Sequence, residues 1–165
     1  PGSECFPILP CMLSRPLAGR QRRIVAAVHA GWRGTVNRIL VKTLHRMQSA
    51  YGTEGTDVIA CIGPGISLDS FEVGDEVYEA FRTENFPMEY ISVWKPETHK
   101  YHIDLWAANR LQLSDFGVPP RQIENAGICT YRQHEDFFSA RRLGIKSGRI
   151  LSGIMLNRQE KEERK

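Results

Sequence analysis

The sequence predicts an α/β (α+β) fold: a single layered domain whose mixed β-sheets are flanked by helices. Three observations predict it. Short β-branched apolar runs, Ile24 to Val28 and Val58 to Ile62, have the length and composition of buried strands. Thr35 to Tyr51 carries apolar residues at helical spacing between them. Strand-like and helix-like segments then follow without a repeat and without a strict βαβ period, so a mixed sheet is expected and the strand order is not readable. At 165 residues the chain is long enough for one core and is expected to be one domain over residues 1–165.

Phe6 to Leu9 is short and apolar and predicts a strand or its end. Leu13 to Arg23, with Pro16, Gly19 and four arginines, reads as a hairpin-like connection or exposed loop. In Thr35 to Tyr51, Thr35 is a suitable N-cap and Gly52 a stop, and Val36, Ile39, Leu40, Leu44 and Met47 share one face. Val58 to Ile62 ends at Gly63-Pro64-Gly65, a turn that leaves bare backbone at the strand end. Phe71 to Phe81 predicts a helix with acidic residues near its start, where the helix dipole favours them. Tyr90 to Trp94 and Tyr101 to Leu105 alternate as strands around a turn from Lys95 to Lys100. The helical run Leu105 to Phe116 is broken by Gly117 and Pro119-Pro120. Ile123 to Cys129 and Gly148 to Leu156 predict two further strands, and residues 157–165 a charged C-terminal tail.

An apolar fraction of 41% and a charged fraction of 25% are ordinary for a globular protein. The net charge of +3 and the absence of a basic stripe with interleaved aromatics speak against a nucleic-acid partner. No apolar run approaches a membrane span and no signal peptide is read, so no membrane partner is expected. The four cysteines, Cys5, Cys11, Cys61 and Cys129, lack CxxC spacing and framework density. They fit a reducing compartment, and a cytoplasmic location is expected. The opening residues have no initiator Met and read as a chain that enters mid-fold, so an N-terminal part is expected to be absent. The oligomeric state, monomer or homodimer, is not readable.

The chemistry concentrates after the first buried strand, at His29-Ala30-Gly31-Trp32-Arg33-Gly34. A metal-capable imidazole and an anion-capable guanidinium there lie at a strand-to-helix junction, with glycines that let backbone approach a ligand. A satisfied core histidine, a packed Trp32 and a surface Arg33 form the plainer alternative. Cys5 and His29 each adjoin a strand-like segment. A thiolate and an imidazole suit a catalytic zinc, or the imidazole can activate the thiol as a nucleophile. Two unrelated buried residues explain the spacing equally well. Arg33, Arg141, Arg142 and Arg149 stand at element ends, where guanidinium groups suit phosphate or carboxylate. Gly63 and Cys129 follow strands and can line the same cleft or be structural. Asp104 and Asn109 can orient a ligand, with caps and surface positions as alternatives.

His29-Ala30-Gly31-Trp32-Arg33-Gly34-Thr35 closely resembles the signature of the YfiH-like family. That family is described both as laccase-domain or polyphenol oxidoreductase and as purine nucleoside phosphorylase. The resemblance continues through Ile62 to Ile66, Phe71 to Val77, Asp104-Leu105, Asn109-Arg110, Gln112-Leu113 and Gly117-Val118. Cys129-Thr130, Phe137 to Arg142 and Gly148-Arg149 complete it in order over nearly the whole chain.

The resemblance implies a layered αβ domain with a zinc site of two histidines and one cysteine. Cys5, in a segment resembling Asp-Cys-Leu-Pro, and His29 carry over as ligands. The other histidine belongs to a family segment upstream of this chain, which implies an incomplete site here. Cys5, His29 and Arg33 are the implied catalytic residues, with Arg33, Gly63, Cys129 and Arg141 as candidate contacts to substrate or phosphate. The implied activities are phosphorolysis of adenosine, inosine, guanosine and methylthioadenosine, and deamination of adenosine, with nucleoside and phosphate as the partners. Zinc would acidify a water for attack on the amino-bearing purine carbon. Arginines would hold phosphate for attack on the anomeric carbon. The competing expectations are a copper-dependent polyphenol oxidoreductase, disfavoured by only five histidines and no His-x-His pair, and a hydrolase using Cys5 as nucleophile and His29 as base. A non-enzymatic chain with a structural zinc or no metal is the remaining alternative.

Overall fold

The computed structural model describes residues 10–14, 24–144 and 146–156, with side chains placed from Ile24 onward. Cys5, the expected strand over Phe6 to Leu9 and the charged tail 157–165 lie outside the described residues. Two sheets organise the rest. The first has the order β2-β1-β3-β7, where β1 is Pro10–Ser14, β2 Ile24–Ala27, β3 Val58–Ile62 and β7 Ile123–Asn125. β1 runs antiparallel to both β2 and β3, with Met12 opposite Ala26 and Ala60, while β3 and β7 are parallel. The second sheet is antiparallel, with β6 (Lys100–Ile103) between β4 (Glu72–Val73) and β5 (Ser92–Lys95). The mixed, layered arrangement expected from the sequence is present.

The helices are α1 (Trp32–Val36), α2 (Ile39–Tyr51), α3 (Asp75–Thr83), α4 (Met88–Ile91), α5 (Leu105–Asp115) and α6 (Ala140–Leu143). The core packs Leu40 and Leu44 of α2, Phe81 of α3 and Leu105 and Leu113 of α5 against Val58, Ala60 and Ile62 of β3 and Ile103 of β6. Burial of these apolar chains is the main favourable term in holding the layers together. None of the described helices is long and apolar enough to cross a membrane.

Several boundaries differ from the sequence expectation, each for a local reason. Residues 35–51 do not form one helix. Thr35 lies inside α1, fully buried, and the chain breaks at Arg38, which adopts a left-handed conformation (φ 53°, ψ 41°) before α2 begins. That conformation costs an L-residue about 1–2 kcal/mol. Arg38 offsets it by donating to the Glu84 carbonyl at 2.8 Å and lying 4.4 Å over the Phe86 ring. The expected loop from Leu13 loses its first two residues to β1.

The helix expected from Phe71 starts only at Asp75. Glu72 and Val73 pair instead with His102 and Tyr101, so this stretch is held extended by a sheet partner and the helix begins only after it. Tyr90 and Ile91 close α4 rather than opening a strand, which shortens the expected hairpin to β5 and β6. The strand expected over Ile123 to Cys129 ends at Asn125. Gly127, at φ 66°, bends the chain before it returns to Gly65 through a single parallel bridge at Cys129. Residues 148–156 form no strand; Leu151 is 97% exposed and pairs with no described strand. Phe137 is half-buried, but Phe138, expected to be at least partly buried beside it, is exposed.

Candidate functional site

The turn after β2 is held from behind. Val28, Ala30 and Gly31 are buried, whereas His29 and Arg33 are exposed and Trp32 is half-buried. The Thr35 hydroxyl donates to the Ala30 carbonyl at 3.0 Å and accepts from the Asn109 amide nitrogen at 3.1 Å. Gln112 donates to the Thr35 carbonyl at 3.3 Å, so α5 fixes α1 and the turn through buried polar groups. Asn109, a candidate ligand contact from the sequence, therefore works inside the scaffold. Gly34 has a steric reason: a Cβ there would come 3.1 Å from the His29 carbonyl and 3.2 Å from Ile39. His29 is not a core histidine, and Arg33 lies 4.4 Å over the Trp32 ring.

Trp32 also walls a pocket of about 210 Å³ that it shares with Phe71, Glu72, Glu76, Lys100 and Arg141. Arg141 donates to the Glu72 carbonyl at 2.7 Å and lies 5.3 Å over the Phe71 ring, so a motif near the end of the chain meets the turn after β2. Lys100, at 3.2 Å, holds the Glu72 carboxyl below its ordinary range, against the opposing push of burial. His102 is buried; its Nδ1 lies 3.0 Å from the Leu68 carbonyl, which fixes the proton on that nitrogen. Its Nε2 stands 4.0 Å from Glu72 and has no hydrogen-bond partner among the described residues.

A third group adjoins this pocket through the turn from Leu68 to Ser70. The buried Cys129 thiol accepts from the Ser67 hydroxyl at 3.1 Å and the Ser67 amide at 3.4 Å, with Ser70 Oγ at 3.6 Å. Burial pushes this thiol up, but the Ser67 donors, the Arg132 amide and Ser70 outweigh it and bring it down to about 7. Gly65 accepts from the Thr130 amide at 2.9 Å, so the loop after Gly63 and Cys129 do lie together, as expected of strand-end neighbours.

The fold thus joins Arg141 to Trp32, and Cys129 to the Gly63 loop. Asp104 serves as the N-cap of α5, accepting from Ala107 at 2.9 Å. Arg132 pairs with Asp69 at 2.8 Å at the surface. Arg142 lies 5.2 Å over the Tyr131 ring, and Arg149 donates to the Ser147 carbonyl at 2.6 Å. Sequence reasoning assigned no chemistry to Phe71, Glu72 and Glu76, although they stand in a stretch that carries the family resemblance, nor to Ser67, Lys100 and His102. The i, i+2 spacing of Lys100 and His102 in β6 is the one local signal, because it places both side chains on one sheet face.

Comparison with known proteins places this site in a family. A family profile described as multi-copper polyphenol oxidoreductase laccase matches residues 3–157. The chain belongs to that family. Within this laccase-described family, the chain is 58% identical over 156 residues to a purine nucleoside phosphorylase of Bacteroides thetaiotaomicron, covering 94% of this chain and 55% of that protein. It is 46% identical over 152 residues to adenosine deaminase RL5 of an unknown prokaryotic organism, covering 92% and 55%. The crystal structure of Bacillus licheniformis hypothetical protein YfiH superposes with a TM-score of 0.70 at 28% identity, over 85% of this chain and 52% of that one. The chain spans about half the length of the curated relatives it matches.

An exposed imidazole can turn a ring nitrogen to a metal without giving up a core contact, so His29 fits as one zinc donor. Among the described residues no three His, Cys, Asp or Glu side chains come together for a metal. Cys5, the expected partner ligand, is outside that set.

Proposed function

We propose that this chain carries the nucleoside-processing site of a zinc-dependent purine nucleoside enzyme, with phosphorolysis of purine nucleosides and deamination of adenosine as its reactions. One observation supports this reading above the others. Trp32, on the turn that also bears the exposed His29 and Arg33, lines a pocket with Arg141, in a chain whose relatives bear the names purine nucleoside phosphorylase and adenosine deaminase.

In phosphorolysis, a phosphate oxygen bonds to the anomeric carbon while the bond from that carbon to the purine nitrogen breaks. The electron pair and a proton end on the base, leaving ribose 1-phosphate. Arg33 is the residue we assign to phosphate. It is exposed, its guanidinium is steadied by the Trp32 ring, and two parallel N–H donors match phosphate geometry. Trp32 and Phe71 supply apolar walls against which a ring can exclude water. His29 and Cys5 are the residues of this chain that would hold zinc. When bound, zinc supplies Lewis acidity that makes a water a stronger nucleophile at neutral pH. The copper reading ranks below this one, because multi-copper chemistry draws on a histidine-rich set and the chain has five histidines and no His-x-His pair.

The test is product analysis of the metal-quantified protein with adenosine, in phosphate and in phosphate-free buffer. Adenine with ribose 1-phosphate, formed only with phosphate, supports phosphorolysis; inosine formed in both buffers supports deamination. Neither product from zinc-loaded protein overturns the proposal.

A further inference from the structure

We propose that Cys11 of β1 and Cys61 of β3 form a reversible disulfide across the exposed face of the first sheet, made by exchange with a low-molecular-weight disulfide. The strand register carries the argument. β1 runs antiparallel to β3 with Cys11 directly opposite Cys61. Residues directly opposite in an antiparallel pair share a face, with Cα atoms about 4.5 or 5.5 Å apart according to the hydrogen bonding of the pair. Both separations fall within the roughly 4.4–6.8 Å that a disulfide spans. The 50 positions between the two cysteines (61 − 11) hide this pairing from any reading of local spacing.

The face they share is open to a soluble reagent. Cys61 is exposed, whereas its β3 neighbours Ala60 and Ile62 are buried in the core. The same row continues across the sheet: Ala27 of β2 stands opposite Cys11 and Glu124 of β7 beside Cys61, and both are exposed. Cys129, by contrast, is buried and hydrogen-bonded to Ser67.

The exchange proceeds in two displacements. The Cys61 thiolate attacks one sulfur of the small disulfide, whose S–S bond breaks and sends its electron pair out on the first small thiolate. The Cys11 thiolate then attacks the Cys61 sulfur and expels the second. Two protein thiols are thereby oxidised by two electrons, the small disulfide is reduced to two thiols, and the two protons lost by the protein end on them. An exposed bridge is the readily reduced kind, so a thiol pool reverses it. Because Cys11 also pairs with Ala27, two residues before His29, the bridge would fasten to β3 the strand that flanks the approach to the His29 turn.

The test exposes reduced protein to oxidised glutathione, blocks the remaining thiols in denaturant and maps the peptides by mass spectrometry. Wild type should lose two of its four thiols and two hydrogens of mass, in one Cys11–Cys61 linkage within a single chain that dithiothreitol reverses. Cys11→Ser should stop at a Cys61–glutathione mixed disulfide, which shows that Cys61 is reached first and Cys11 resolves it. The bridged form should melt about 4 °C or more above the reduced form, from closure of a loop of this length, an increase that Cys61→Ser lacks. Wild type that keeps all four thiols, that stops at the mixed disulfide, or that links Cys61 to another chain or to another cysteine overturns the proposal.

Discussion

Replacing Thr35 by Val removes a single hydroxyl at nearly constant volume. That hydroxyl is the joint between the His29–Trp32 turn and α5: it donates to Ala30 at 3.0 Å and accepts from Asn109 at 3.1 Å. Thr35 and Asn109 are both fully buried, so water cannot replace either bond. Asn109 keeps its second bond, to the Leu105 carbonyl at 2.8 Å, and is only partly stranded. A net hydrogen bond contributes about 1 kcal/mol, and a buried group left without a partner costs about 1–3 kcal/mol. The substitution should therefore cost about 2–3 kcal/mol, or roughly 4–12 °C in thermal midpoint for a chain of this size. Urea denaturation of wild type, Thr35→Val and Thr35→Ser measures it. Serine keeps the hydroxyl and should lose only about 1 kcal/mol, from its missing methyl. A valine variant within about 0.5 kcal/mol of wild type would refute the claim that this bond anchors the turn.

Two further outcomes follow from other contacts. Because the Cys129 thiol lies near 7 rather than at its ordinary 9.0, its ionised form is favoured by folding. The associated stability is full above pH 9 and is lost as pH falls through about 7. Thiolate ultraviolet absorbance, measured against Cys129→Ser, should titrate near 7 and move upward in Ser67→Ala; a wild-type midpoint at the ordinary value contradicts the hydrogen-bond account. Gly55→Ala would bring a Cβ to 2.6 Å from the Gly117 oxygen and 2.7 Å from that of Phe116, both backbone atoms that cannot rotate away. A loss of about 1–3 kcal/mol is expected from such overpacking, and an unaltered denaturation midpoint would contradict the packing of this turn against the end of α5.

The sequence made the fold class and the strongest elements legible because burial and period coincide there. β3 and α5 fall within one residue of their expected bounds. What it concealed were segments whose partners decide their form. Glu72 and Val73 carry helix-compatible neighbours, yet β6 claims them for a sheet. The single helix expected across 35–51 divides at Arg38 because contacts with Glu84 and Phe86, far along the chain, stabilise a left-handed residue. The site divides in the same way. The turn at His29 was readable from its own residues, and its relation to Arg141 was not, because 109 positions separate Trp32 from Arg141 (141 − 32) and only the fold brings the two to one pocket. Cys129 was visible as a strand-end thiol, but its acidity comes from Ser67 and Ser70 on a distant turn.

Steady-state phosphorolysis of inosine by wild type and Arg33→Ala, with phosphate and nucleoside varied separately, tests the central claim most directly. If the turn after β2 is the phosphate-binding edge of a purine nucleoside site, the variant should raise the phosphate KM at least about tenfold while moving the nucleoside KM little, the loss expected of a charge-assisted pair. Wild type that releases no hypoxanthine in phosphate, or a variant whose phosphate KM equals that of wild type, would contradict it.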